Sequence, residues 1–195
     1  MTRASNTPSL SLHLRHATAS RHEQMHHLME ALAPFRNRER YAGFIQAQHL
    51  FQRDIENLFH DSAVRSAIPD IDVRGRSAAT LADLHDLNVV MQEEPPATNI
   101  VTMPAALGWI YVSEGSTLGA AFLLKEVKEK LGLSAEFGAR HLGAYPQGRA
   151  QAWHDFTNAL DRFSHDEAAQ NAVVQGALAA FDRFADLLKR FLPKA

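Results

Sequence analysis

Two features of this chain set it apart from an ordinary soluble helical protein. His22 stands four residues after Thr18, three before Met25 and seven before Met29, a spacing that places its imidazole on the apolar face of a helix. Much later, within a strongly helical stretch from Gly108 to Lys130, Gly115 and Gly119 occur four residues apart. Each glycine in a helix interior costs about 1 kcal/mol relative to alanine. The pair lies on one face with Ser116 beside it, so no Cβ stands between the backbone and whatever approaches. Either a neighbouring helix packs closely there or a flat ligand does.

An inward imidazole on one helix and bare backbone on another suggest a sandwich around a planar, metal-bearing ligand, a description that haem fits. The plainer account of His22 is a histidine satisfied by a hydrogen bond at the margin of the core. The chain has 11 histidines and no cysteine, so thiolate chemistry, Cys-ligated zinc and disulfides are excluded and histidine is the obvious metal-ligand type. His49 and His60 flank a helix, and His85, His154 and His165 sit among polar residues, which makes them weaker candidates. No HExxH, phosphate-binding glycine loop or nucleophile elbow occurs.

The elements that must position these groups are all helical. Apolar residues recur at helical spacing from about Leu10 until Pro34, after a leader over residues 1–9 expected to be flexible. Asn37 is expected to cap the next helix, whose buried stripe from Tyr41 to Phe59 is interrupted by Gln48 and Gln52. These amides either border a water-containing cavity or reach solvent at the edge of the stripe. Ser77 is expected to cap a short helix with Ala78, Leu81, Leu84 and Leu87 inward, and the proline-containing segment from Asn88 to Val101 reads as a loop. Thr102 should cap the glycine-bearing helix, with Pro104 in its first turn and Gly132 ending it. A short helix from Ser134 to Leu142, a helix from Arg149 to Phe163 bearing Trp153, and a last helix opened by a Ser164–Glu167 capping box and closed by Pro193 complete the reading. No segment alternates with the period of a strand. The expected fold is all-α, a single domain over residues 1–195.

A formal charge of -2 with interspersed signs gives no basic field to attract nucleic acid. No run approaches the roughly 20 apolar residues of a membrane span, and no apolar signal core opens the chain, so a cytoplasmic protein is expected.

The segment Ala17-Thr18-Ala19-Ser20-Arg21-His22 resembles the proximal-helix motif of haem oxygenases, and Gly108 to Phe122, GWIYVSEGSTLGAAF, is similar to the distal helix of their bacterial branch. Further similarity runs through Ala47 to Gln52, Phe137 to Leu142, Gly148 to Trp153 and Phe181 to Phe184, and so covers nearly the whole chain. The resemblance implies a helical bundle that holds haem as cofactor and substrate and cleaves it with O₂ and reducing equivalents to biliverdin, CO and ferrous iron. It implies His22 as the proximal iron ligand, and Gly115 and Gly119 as backbone close over the ring that tilts the bound oxygen toward one meso carbon. Ser116, Gln48, Gln52 and Trp153 would anchor ordered waters. An electron donor such as a ferredoxin or a flavoprotein reductase is implied, with a biliverdin-using phytochrome as one downstream partner. A haem carrier or sensor that does not degrade its ligand is the alternative. A thiaminase-like helical enzyme is disfavoured by the lack of cysteine.

Two positions bear on detail. Members usually place a carboxylate four residues after the proximal histidine, where this chain has His26, so a weaker acceptor, or a water, would take the imidazole N–H and leave His22 less electron-rich. Most members hold the haem propionates with a basic residue and a tyrosine, matched here by Arg15 and Tyr111. The branch that cleaves at the β and δ positions carries lysines where this chain has Glu30 and Glu126. Cleavage at the α-meso carbon is therefore expected.

Overall fold

The computed structural model describes residues 9–91, 94–145, 148–163 and 166–192. Among these, eight α-helices follow one another: α1 (Leu10–Ala17), α2 (Ala19–Leu32), α3 (Arg38–Asn57), α4 (Ser62–Ala67), α5 (Ser77–Asp86), α6 (Ala105–Leu131), α7 (Arg149–Asp161) and α8 (Glu167–Phe191). No strand is present among the described residues, and the all-α expectation holds. Residues 1–8, Ser164, His165 and Pro193 lie outside the described residues, and with them most of the leader, half of the proposed capping box and the proline stop. Asp166 caps α8 instead, accepting from the N–H of Ala169 at 2.8 Å.

The helix expected to run unbroken to Pro34 is divided at Thr18. The Thr18 hydroxyl donates to the Leu14 carbonyl at 2.8 Å, the back-bonding that bends helices at threonine. Asn37 caps α3 as expected, accepting from the N–H of Arg40 at 2.8 Å. The start of α5 is capped from another helix: Glu56 of α3 accepts from the N–H of Arg76 at 2.6 Å and of Ser77 at 2.5 Å, and from the Ser77 hydroxyl. Ser77 is thus the first residue of α5 and not its cap. Its buried face is Thr80, Asp83 and Leu84, while Ala78 and Leu81 face solvent. Thr80 meets His49 Nδ1 at 2.9 Å, so this face was chosen by hydrogen bonding, against the apolar count.

Asp83 and Asp86 also explain why no α-helix forms from Ser134 to Leu142. Their carboxylates accept from the backbone N–H groups of Gly138 (2.8 Å), Arg140 (2.8 Å) and His141 (3.0 Å), donors that a helix would have needed. Only a 3₁₀ turn at Arg140–Gly143 remains. Likewise α6 begins at Ala105, where Thr102 contributes its carbonyl to the N–H of Ala106 at 3.1 Å in place of a side-chain cap. Gly132 ends α6 in the left-handed region at φ 66°, and Arg38 donates to the last carbonyl, that of Leu131, at 2.9 Å.

The core is built on the crossing of α6 and α8, with α3 packed on α5 and α8. Glycine is what lets the crossing close. A Cβ on Gly108 would collide with the backbone at Val173 and Ala177, and one on Gly176 with the Ala105 carbonyl. Helix α2 also rests on α8, whereas contacts between α2 and α6 are at most marginal.

Candidate functional site

A side-chain hydrogen bond joins α6 to the junction of α1 and α2. Tyr111 of α6 is buried and shares a side-chain hydrogen bond with Thr18, at the junction of α1 and α2. One helical turn further along each chain stand Gly115 on α6 and His22 on α2, and a second turn brings Gly119. Beyond the Tyr111–Thr18 contact, α2 and α6 each rest on α8.

The His22 ring is exposed and not buried as the inward reading expected, because α6 does not cover α2; its supports are the edge of Phe181 from α8, 6.4 Å between centroids, and His26 at 4.7 Å. Partial burial and the neighbouring His26 both push its pKa below 6.5, so at neutral pH the imidazole keeps a lone pair for a metal.

The glycines of α6 separate into two kinds. A Cβ on Gly119 would meet nothing within 4 Å, and one on Gly115 would make only ordinary contact, 3.6 Å, with Trp153. Close helix packing, the alternative for this pair, is thus the work of Gly108 and Gly176 instead. The uncovered backbone is flanked by apolar side chains facing solvent, with Leu118 41% and Phe122 79% exposed. An exposed apolar face around open helix backbone is a surface that a large flat ligand such as haem can use. Among the described residues no three His, Asp or Glu side chains converge, so a bare-ion centre of that size is not built here.

The remaining candidates distribute unevenly. Trp153 is half-buried, 5.4 Å from the Tyr111 ring and against Gly115, and Arg15 lies near enough to draw down the Tyr111 pKa that burial raises. Arg15, Tyr111, Trp153 and Gly115 therefore lie together. Ser116 is exposed, but its hydroxyl donates to the Ser113 carbonyl at 2.6 Å. Gln52 neither reaches solvent nor stands free, being 2% exposed with its amide 3.4 Å from the Ser113 hydroxyl; Gln48 is half-buried. Glu30 is exposed, and Glu126 is paired with Lys130 at 2.6 Å.

One group of residues was missed. Glu114, 2% exposed, lies behind the glycines and is gripped by Arg74 at 2.6 Å, Arg76 at 3.1 Å and the Tyr145 hydroxyl at 2.7 Å. Arg76 also donates to the Ser113 carbonyl (2.8 Å) and hydroxyl (2.6 Å), and Arg74 stands over the Phe156 ring at 5.4 Å. These arginines fix the turn of α6 on which Gly115 sits. A local signal existed in Arg74-Gly75-Arg76, two cations flanking a glycine before a helix, but their partner is about forty residues away.

The described helices superpose on the NO- and CO-bound haem oxygenase of Neisseria meningitidis with a TM-score of 0.87, at 30% identity over 97% of this chain and 94% of that one. Haem oxygenase from Leptospira interrogans superposes with a TM-score of 0.80 at 16% identity, over 94% of this chain and 100% of that one, a likeness of fold. The class is thus that of the all-α haem oxygenase fold. The family model described as Heme oxygenase matches residues 8–190, and the haem oxygenase PigA of Pseudomonas aeruginosa is 40% identical over 171 residues, 87% of this chain and 86% of that one. The chain belongs to the haem oxygenase family and is an oxidoreductase that acts on haem. No helix among the described residues is long and apolar enough to cross a membrane.

Proposed function

We propose that this enzyme opens haem at the α-meso carbon in the cytoplasm, releasing biliverdin, CO and ferrous iron, with electrons from a ferredoxin or flavoprotein reductase and O₂ as co-substrate. The observation that supports the reading is the occurrence together of an accessible, unprotonated His22 and α6 backbone that lies open at Gly119. Haem, when bound, supplies the iron at which O₂ is reduced.

The protein's part is to bind, orient and exclude. His22 holds the iron from one side. Gly115 and Gly119 would present backbone in place of side chains to the bound haem and so restrict what can approach it there. Arg15 and Tyr111 together offer a cation and a hydroxyl to the anionic propionates, which fixes the rotation of the ring and hence the meso edge presented. Glu30 adds repulsion elsewhere; Glu126 adds less, because Lys130 neutralises it.

Protons come from water in this scheme. The Ser116 hydroxyl has its proton on the Ser113 carbonyl and can only accept from a water, and Glu114 is committed to two arginines. Neither is an acid for the substrate. The test is to turn over hemin-loaded protein with reductant in air and separate the biliverdin isomers chromatographically. The α isomer is expected, shifting to a mixture in Arg15→Ala/Tyr111→Phe; a β or δ product from the wild type overturns the propionate argument.

A further inference from the structure

His22 and His26 lie one turn apart on α2, both are exposed, and among the described histidines theirs are the two rings in mutual contact, 4.7 Å between centroids at an interplanar angle of 74°. Neither ring makes a hydrogen bond or an ion pair. This separation has a meaning for coordination chemistry. Two imidazoles whose nitrogens sit ~2.1 Å from one shared ion have ring centres about 4.5 Å apart at a right angle and about 5.2 Å apart at a tetrahedral one. The observed spacing falls between those values without any change of backbone.

We propose that in the haem-free protein His22 and His26 form a two-imidazole chelate for a borderline divalent transition ion such as Zn²⁺ or Cu²⁺, and that this ion and haem exclude one another. Imidazole pairs favour these metals, with Cu²⁺ and Zn²⁺ above Fe²⁺ in the usual order of affinities. Two protein ligands leave the remaining positions to water, so the ion stays exchangeable and does not become a structural centre. The exclusion rests on His22 being the haem ligand; the chelate does not. The functional consequence is that the metal status of the surroundings gates loading of the substrate.

The experiment uses haem-free full-length protein titrated with ZnCl₂ by calorimetry and with Cu²⁺ by electron paramagnetic resonance. His26→Gln, at an exposed position, should lower zinc affinity at least tenfold and remove one imidazole from the nitrogen hyperfine pattern. His13→Gln, which disrupts the other near-spaced pair (His13 and His16), should change neither. Hemin titrations at saturating zinc should show a weaker apparent affinity in wild type and no effect of zinc in His26→Gln. Zinc binding and hyperfine unchanged in His26→Gln overturn the chelate. A chelate that is lost in His26→Gln, yet never competes with hemin in wild type, overturns the exclusion and with it the assignment of His22 to haem.

Discussion

Replacing Gly119 by leucine should make the protein more stable and unable to take its substrate. Nothing lies within 4 Å of the position a Cβ would occupy there, so a side chain can be added to α6 without collision. Exchanging a helix-interior glycine for a good helix former gains about 1 kcal/mol, which for a chain of this length raises Tm by roughly 2–4 °C. If haem lies against α6 at Gly119, as proposed, the same side chain occupies its place, and hemin affinity should fall more than tenfold. Gly108→Ala supplies the contrast: its Cβ would collide with the Val173 carbonyl across the α6–α8 crossing, and overpacking of this kind costs typically 1–3 kcal/mol. Thermal unfolding by circular dichroism and a Soret titration with hemin measure both. A Gly119→Leu protein that unfolds earlier than wild type, or that binds hemin as tightly, refutes the division of the glycines into packing and ligand-facing kinds.

Three further outcomes follow from charged and titratable side chains. Glu114→Gln leaves two enclosed guanidinium groups without their carboxylate, a loss of about 3–5 kcal/mol, which should lower Tm by on the order of 10 °C. Glu126→Gln, removing an exposed pair with Lys130, should change stability by less than about 1 kcal/mol. His141 is enclosed beside Asp83, and burial lowers its pKa below 6.5 because the charged ring is disfavoured. The unfolded chain therefore takes up that proton first, so this stability is full above pH 6.5 and is lost as pH falls below it, at up to about 1.4 kcal/mol per pH unit. Denaturant titrations between pH 5 and 7 should show that slope flatten in His141→Asn; an unchanged slope assigns the acid sensitivity elsewhere.

Local and periodic features were legible in the sequence. The stripe of α3, the Asn37 cap, the Gly132 stop and the glycine pair of α6 each depend on residues within a few positions of one another. What escaped depends on side chains that take backbone donors from far along the chain. Glu56 caps α5 from α3, and Asp83 and Asp86 hold the segment after Gly132 out of a helix. The face of α5 is set by Thr80 and Asp83, polar residues that apolar counting places outside. Glu114 was visible within the distal-helix motif, but its two arginines lie in a segment that reads as a loop until the fold brings it behind α6. The exposure of His22 was also hidden, since spacing gives the face of a helix and cannot say whether a second helix covers it.

The central proposal is a porphyrin held between the His22 imidazole and the α6 backbone around Gly119. Its most direct test is a comparison of wild type and His22→Ala, each loaded with hemin and given reductant in air while the Soret band and the released pigment are followed. Wild type should show a histidine-ligated spectrum and lose its Soret band as biliverdin forms, and the variant should lose that ligation and the turnover while keeping its helical circular dichroism. Identical spectra and equal turnover in the two proteins would contradict the claim.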